Sequence, residues 1–230
     1  MKKQKILAII PARGGSKRIP KKNIKEFSGK PMIAWPILEL KSSNLFCDIL
    51  VSSDDQEIRE IATAFEAIAP FSRPRNLSDD FTGTSAVTKH ALEWYIENKI
   101  KPDLVVTVYP TAVFLSKNDL KKALKLKEKS GSEIVFSATE YAFPIQRAFF
   151  VNEKQEIQMF EPEKYSERSQ DLQKAYHDAG QFYLATTKAV LDETQAFSNY
   201  SSPLIIPRYR AVDIDTKEDF ELAEKLFILN

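Results

Sequence analysis

Short apolar runs alternate along the chain with stretches whose apolar residues recur at helical spacing. Residues 6–10 form an apolar run closed by Pro11 and predict a buried strand. Residues 32–40 predict a helix, and 49–52 a second strand. From Asp55 onward, Ile58, Ile61, Ala62 and Phe65 fall on one helical face. A helix at 85–96, a β-branched strand at 104–109, a basic amphipathic helix capped by Ser116 and running to about 129, and a strand at 134–138 follow. This order predicts an α/β fold, a parallel sheet with helices on both faces. After about Phe143 the pattern weakens. Residues 148–151 and 157–160 suggest two short antiparallel strands, and 161–174 is polar and charged. Strands at 182–185 and 204–206 and a helix at 217–228 restore the order. The expectation is a single domain, 1–230, with an excursion at about 143–180.

Charge narrows the function classes. Lys+Arg is 33 and Asp+Glu 32, so the net charge of +1 gives no bulk attraction to nucleic acid or to a membrane. The single cysteine, Cys47, rules out an intrachain disulfide framework and a multi-cysteine zinc site. No apolar run approaches a membrane span, and the segment after Met1-Lys2-Lys3-Gln4-Lys5 is too short for a signal peptide. A cytoplasmic protein, with no nucleic-acid or membrane partner, is expected.

In open α/β sheets ligands sit beyond the carboxyl ends of the strands. The loop there after the first strand, Ala12-Arg13-Gly14-Gly15-Ser16-Lys17-Arg18-Ile19-Pro20-Lys21-Lys22-Asn23, concentrates two glycines and five cations. Adjacent glycines allow close backbone approach, and N–H groups beside cations suit phosphate oxygens. Neither the P-loop nor the dinucleotide spacing of glycines is present. A solvated basic loop with glycines serving a turn accounts for the same composition.

The order of residues in this loop resembles the signature of the CMP–sialic acid synthetases, the acylneuraminate cytidylyltransferases. The resemblance extends over nearly the whole chain: Val51-Ser52-Ser53-Asp54, Arg73-Pro74-Arg75-Asn76-Leu77-Ser78-Asp79, Val108-Tyr109-Pro110-Thr111 and Ala211-Val212-Asp213-Ile214-Asp215-Thr216 all carry it. It implies a Rossmann-like nucleotidyltransferase fold with a small dimerisation excursion, hence a homodimer. It implies that Arg13, Lys17 and Lys22 act on the phosphates of CTP. Ala12, Gly14, Gly15, Ser16, Asn23, Arg73 and Ser85 would then line the nucleotide, with Thr84 beside Ser85. A helix cap explains Thr84 or Ser85, and Asp54 or Asp55, as well. Alternation along an extended strand would put Asp213 and Asp215 on one side, a hard oxygen pair suited to Mg²⁺; alternatively, Asp215 caps the last helix.

The sugar half departs from the sialic acid pattern. Tyr109 stands where the family usually has glutamine, Gln146 where it has lysine, with Arg147 next to it, and His177-Asp178-Ala179-Gly180 replaces an arginine-containing segment. With Gln181 these are the candidate sugar-binding residues. His177 and Asp178 are adjacent, so on a strand they point to opposite faces and are no dyad. The departures resemble the branch that activates pseudaminic acid, a nine-carbon 2-keto acid sugar used on bacterial flagellins and surface polysaccharides. The resemblance would further allow Arg168, in the excursion, to act in a partner subunit's site; a solvated flexible loop accounts for 161–174 equally well.

Overall fold

The computed structural model describes residues 4–229, so the Met1-Lys2-Lys3 start of the N-terminal segment lies outside it. The elements run β1 (Ile6–Pro11), β2 (Glu26–Phe27), β3 (Lys30–Pro31), α1 (Ala34–Ser43), β4 (Asp48–Ser52), α2 (Gln56–Ala64), α3 (Thr84–Asn98), β5 (Leu104–Val108), α4 (Lys117–Ser130) and β6 (Ile134–Glu140). There follow β7 (Phe149–Val151), β8 (Ile157–Met159), β9 (Tyr176–Thr186), α5 (Thr187–Leu191), β10 (Ser201–Ile205) and α6 (Lys217–Ile228).

Six strands form one sheet in the order β10-β6-β9-β5-β1-β4. β1 is buried on both faces, which is why its sequence is a continuous apolar run rather than an alternation. Ala8 and Ile10 pack with Ile37 and Leu40 of α1, Ile58 of α2 and Leu120 of α4. Leu7 and Ile9 pack on the other face with Ala91, Leu92 and Tyr95 of α3.

The sheet is mostly parallel, as the resemblance implies, and β9 is its one exception. β9 runs antiparallel to both β5 and β6, because the chain enters it from the excursion without a crossover helix to reverse its direction. The strand predicted at 182–185 is only the buried end of β9, whose polar first half hides the strand pattern. α1 starts at Ala34, two residues later than the predicted helix, because Met32 and Ile33 belong to the β2–β3 corner and are fully buried there. Five-residue α5 is too short to leave a periodic signal.

A second apolar cluster lies beside the sheet. Phe220 and Ala223 of α6 pack with Phe27, Met32, Phe114, Ile19 and Ile214. It joins the loop after β1, through Ile19, to the segment before α6, through Ile214. The excursion carries the β7–β8 hairpin, with Phe149, Phe150, Val151 and Ile157 all exposed.

Candidate active site

A cleft of about 500 Å³ opens beyond the carboxyl ends of β1 and β5. Arg13, Ser16, Lys17, Lys22, Asn23, Arg73, Tyr109 and Asp215, all singled out in the sequence, line it. Ala12, Gly14, Gly15, Asp213, Gln146, Arg147, His177 and Gln181 do not, and Ser85 borders a neighbouring hollow instead.

The loop after β1 is held by its own bonds. Asn23 Nδ2 donates to the Arg13 carbonyl at 2.9 Å. The Gly14 N–H is not aimed at the cleft; it donates to Asp54 Oδ1 at 3.1 Å. A Cβ at Gly14 would stand 2.6 Å from Asp55 Oδ2, so this glycine is needed for close approach to α2. The two adjacent acids divide the roles that sequence left open. Asp55 caps α2, while Asp54 holds Gly14 and the Arg73 guanidinium.

Arg73 is buried, with Nε on Ser78 Oγ at 3.1 Å and Nη1 on the Ser52 carbonyl at 3.4 Å. Burial pulls its pKa below the ordinary arginine value, and Asp54 opposes that shift. Arg13 Nη1 contacts Asp80 Oδ1 at 2.7 Å and the Asp79 carbonyl at 2.9 Å, and Lys17 Nζ contacts Asp80 Oδ2 at 2.5 Å. One carboxylate thus bridges two cations expected on phosphates, and those charges hold the Asp80 carboxyl below its usual range. Asp79 shapes that loop, accepting from Phe81 N and from Thr82 N and Oγ1.

Lys22 Nζ donates to the Ile214 carbonyl at 2.7 Å and to Asp215 Oδ1 at 2.9 Å. Arg18 Nη2 reaches Asp215 Oδ2 at 2.8 Å. Residues 211–215 are not a strand, but burial of Ile214 in the α6 cluster still leaves Asp213 and Asp215 outside it. Asp215 does not cap α6; Thr216 does, in a reciprocal pairing with Asp219. Burial and the neighbouring Asp215 charge raise the Asp213 carboxyl. Burial pushes Asp215 the same way, but Lys22 and Arg18 overcome it and hold its carboxyl low.

Similarly, neither Thr84 nor Ser85 caps α3, since Gly83 takes that place. Tyr109 follows β5 directly, burial raises its phenol, and its ring meets that of Tyr183 edge-on with centroids 6.2 Å apart. Between Phe136 and Ala138 of β6 the pairing on β9 jumps from Tyr183 to Asp178. Residues 179–182 bulge opposite Ser137, whose hydroxyl accepts from Gln181 N and Phe182 N at 3.2 Å each, and Gly180 takes φ 62°. Strict alternation would put Asp178 and Tyr183 on opposite faces; the bulge brings them to one face. Tyr183 donates its hydroxyl to Asp178 Oδ2. The sequence offered no signal for this pair beyond Gly180.

His177 Nδ1 meets the Asp178 carbonyl at 2.8 Å, not its carboxylate, as strand geometry requires. Gln181 is buried, with Nε2 on the Arg210 carbonyl at 2.5 Å and Oε1 unpartnered. Gln146 is likewise buried, with Nε2 on the Gln173 carbonyl at 3.0 Å. Arg147 donates to the Glu167 carbonyl within the excursion, and Arg168 Nε pairs with Asp171 at 2.8 Å. Among the described residues no group of three or more His, Cys, Asp or Glu gathers as a metal cage, and no helix is long and apolar enough to cross a membrane.

A family model described as cytidylyltransferase matches residues 7–230. A pseudaminic acid cytidylyltransferase of Campylobacter jejuni subsp. jejuni serotype O:23/36 (strain 81-176) is 48% identical over 226 residues, 98% of this chain and 97% of that one. A CMP-N,N'-diacetyllegionaminic acid synthase of Legionella pneumophila is 28% identical over 98% of this chain and 97% of its own. Among solved structures, a CMP:2-keto-3-deoxy-manno-octonic acid synthetase complexed with CTP superposes with a TM-score of 0.69 at 17% identity, covering 98% of this chain and 99% of that one. That likeness shows the fold.

Proposed function

The chain belongs to the cytidylyltransferase family, and from that premise we propose that it converts CTP and pseudaminic acid to CMP-pseudaminic acid and pyrophosphate. The observation that carries the sugar assignment is the 48% identity to a pseudaminic acid cytidylyltransferase over 98% of the chain. The cleft supports the nucleotide half. Arg13, Lys17 and Lys22 converge on one space, and transfer at phosphorus needs positioning and charge neutralisation more than covalent help.

The anomeric hydroxyl of the sugar attacks the α-phosphate, the new O–P bond forms, and pyrophosphate leaves. Arg13 and Lys17 exchange Asp80 for phosphate oxygens. Lys22, anchored on the Ile214 carbonyl, stabilises the charge that grows on the α-phosphate. Arg73 is assigned to the pyrimidine O2, and backbone carbonyls near Ala12 to its 4-amino group. UTP would leave those acceptors unpaired, which discriminates strongly.

Asp213 and Asp215 fit Mg²⁺, an ion that binds through one or two carboxylates together with substrate phosphates. Burial and the neighbouring Asp215 charge raise the Asp213 carboxyl, and a cation between the two carboxylates would offset both. Bound there, Mg²⁺ would supply charge neutralisation at the phosphates. Asp213→Asn removes one of the repelling charges. Its melting temperature without metal is expected to rise, and the stabilisation by Mg²⁺ expected of the parent in the presence of CTP is expected to be lost. A Mg²⁺-induced shift retained in full by the variant refutes the assignment.

The exposed apolar side chains of the β7–β8 hairpin support a homodimer, since contiguous apolar patches mark association surfaces. A cytoplasmic location follows from the supply of CTP.

The deciding measurement is pyrophosphate release with CTP and Mg²⁺ and, in turn, pseudaminic, legionaminic, N-acetylneuraminic and 3-deoxy-manno-octulosonic acids, with the product identified by mass. Pseudaminic acid is expected to give the highest kcat/KM. Equal or faster turnover of N-acetylneuraminic acid overturns the sugar assignment, and release with none of the acids overturns the reaction.

A further inference from the structure

Asp213 and Asp215 are aimed by different means. Lys22 and Arg18 hold the two oxygens of Asp215. Among the described residues the Asp213 carboxylate accepts no hydrogen bond, and its neighbours reach it through charge alone. Its direction is therefore set by the backbone, which must be fixed from either side. Downstream, Ile214 is fully buried and its carbonyl receives Lys22. Upstream, the chain makes one tight turn at Arg208–Arg210, and only Ala211 and Val212 stand between it and Asp213.

Arg210 is gripped at both ends. Its guanidinium meets Asp119 Oδ2 at 2.5 Å, on a carboxylate side chain only 4% exposed, and its carbonyl receives Gln181 Nε2 at 2.5 Å. Both partners are rooted in regular structure. Asp119 lies in the first turn of α4, which Ser116 caps. Gln181 sits in the β9 bulge, its N–H on Ser137 Oγ at 3.2 Å and its carbonyl accepting from Tyr109 N at 3.0 Å. Neither Asp119 nor Gln181 lines the cleft, and the donor of Gln181 is spent on this link. Taking an ion pair out of water costs desolvation that an apolar pair avoids. What the guanidinium adds is a planar fork that meets a carboxylate only within a narrow range of directions. The contact therefore fixes where Arg210 stands, and with it the start of the short span to Asp213.

We propose that Asp119 and Gln181 are positioning residues for the metal: by fixing Arg210 they aim the Asp213 carboxylate at the place where a divalent cation joins the phosphates. The proposal rests on the reading that Asp213 and Asp215 hold Mg²⁺. Neither residue touches a substrate, and each acts through Arg210.

The test uses Asp119→Asn, which keeps the shape and removes the charge, and independently Gln181→Met. The second removes the donor to Arg210 together with an Oε1 that has no partner, so it is the milder change for folding. Three quantities are read for each: the Mg²⁺ concentration giving half-maximal turnover at saturating CTP and sugar, the rise in melting temperature when Mg²⁺ is added to the CTP complex, and CTP binding in EDTA by calorimetry. Half-maximal Mg²⁺ is expected to increase about tenfold or more, the usual cost of losing a partner that orients a metal ligand. The thermal rise shrinks, metal-free CTP binding stays as in the parent, and excess Mg²⁺ restores most of kcat. A role confined to stability would lower the melting temperature without metal and move none of these. Parental Mg²⁺ dependence and a full thermal rise in the folded variants overturn the proposal, as does a kcat loss that excess Mg²⁺ leaves unchanged. A parent that Mg²⁺ does not stabilise in the presence of CTP overturns the metal reading instead, so the two failures are distinct.

Discussion

Lys22 spends its ammonium on a backbone carbonyl and a carboxylate of the same segment, at 2.7 and 2.9 Å, and so is already aimed before any ligand arrives. Lys22→Ala is expected to lower kcat about 10²–10³-fold, the effect of losing one preorganised electrostatic donor. Steady-state kinetics with a circular dichroism control checks it, and an unchanged kcat/KM in the folded variant contradicts the role. Asp80 acts in the opposite sense. Its carboxylate occupies Arg13 and Lys17, so a triphosphate bound as proposed would have to displace it. Asp80→Asn is expected to tighten CTP binding by roughly two- to fivefold at low salt, the scale of an exposed ion pair, and by less at high salt. Calorimetric titration reads this, and weaker binding by the variant shows that Asp80 assists the nucleotide. The basic loop was legible in the sequence because its composition is unusual. Asp80 was not, because an acid far along the chain gives no sign of which cation it will meet.

At the scale of elements, the site depends on how the segment before α6 is tethered. Arg210 and Asp119 form an ion pair at 2.5 Å with the carboxylate almost wholly buried, and the Arg210 carbonyl receives Gln181 from β9. α4, β9 and the approach to Asp213 thus meet at one arginine. Asp119→Ala leaves the guanidinium without its partner and is expected to cost about 3–5 kcal/mol. Denaturant unfolding measures the cost, and a loss under about 1 kcal/mol, the size of a surface pair, would show that the tether is dispensable. Helices were readable because one-sided burial imposes a period on them, and the central strands because burial on both faces makes them short continuous apolar runs. The first half of β9 was not. Tyr176, His177 and Asp178 take their places from pairing with β6 across a bulge, and a pairing partner leaves no trace in local periodicity.

For the whole molecule, the sheet and its helices need no help, whereas the excursion places Phe149, Phe150, Val151 and Ile157 in solvent. The proposed homodimer would bury these side chains against a second copy. Phe149→Glu combined with Ile157→Lys is expected to give a monomer by light scattering at concentrations where the parent is a dimer. A parent that is itself monomeric refutes the pairing. Sequence separated the excursion from the sheet through the weakening of pattern after Phe143, but the proposed sugar-binding residues lie where the two meet. There the bulge at 179–182 has a consequence for how new specificities arise. Removing or adding a single residue in it would exchange the faces of His177 and Asp178, while Tyr183 and the buried end of β9 stay in register. Tyr183 would lose its carboxylate partner in one step. Variation that keeps the length of this segment can retune the acceptor gradually. Insertions and deletions there act as abrupt jumps, and a library built to broaden sugar use should hold that length constant.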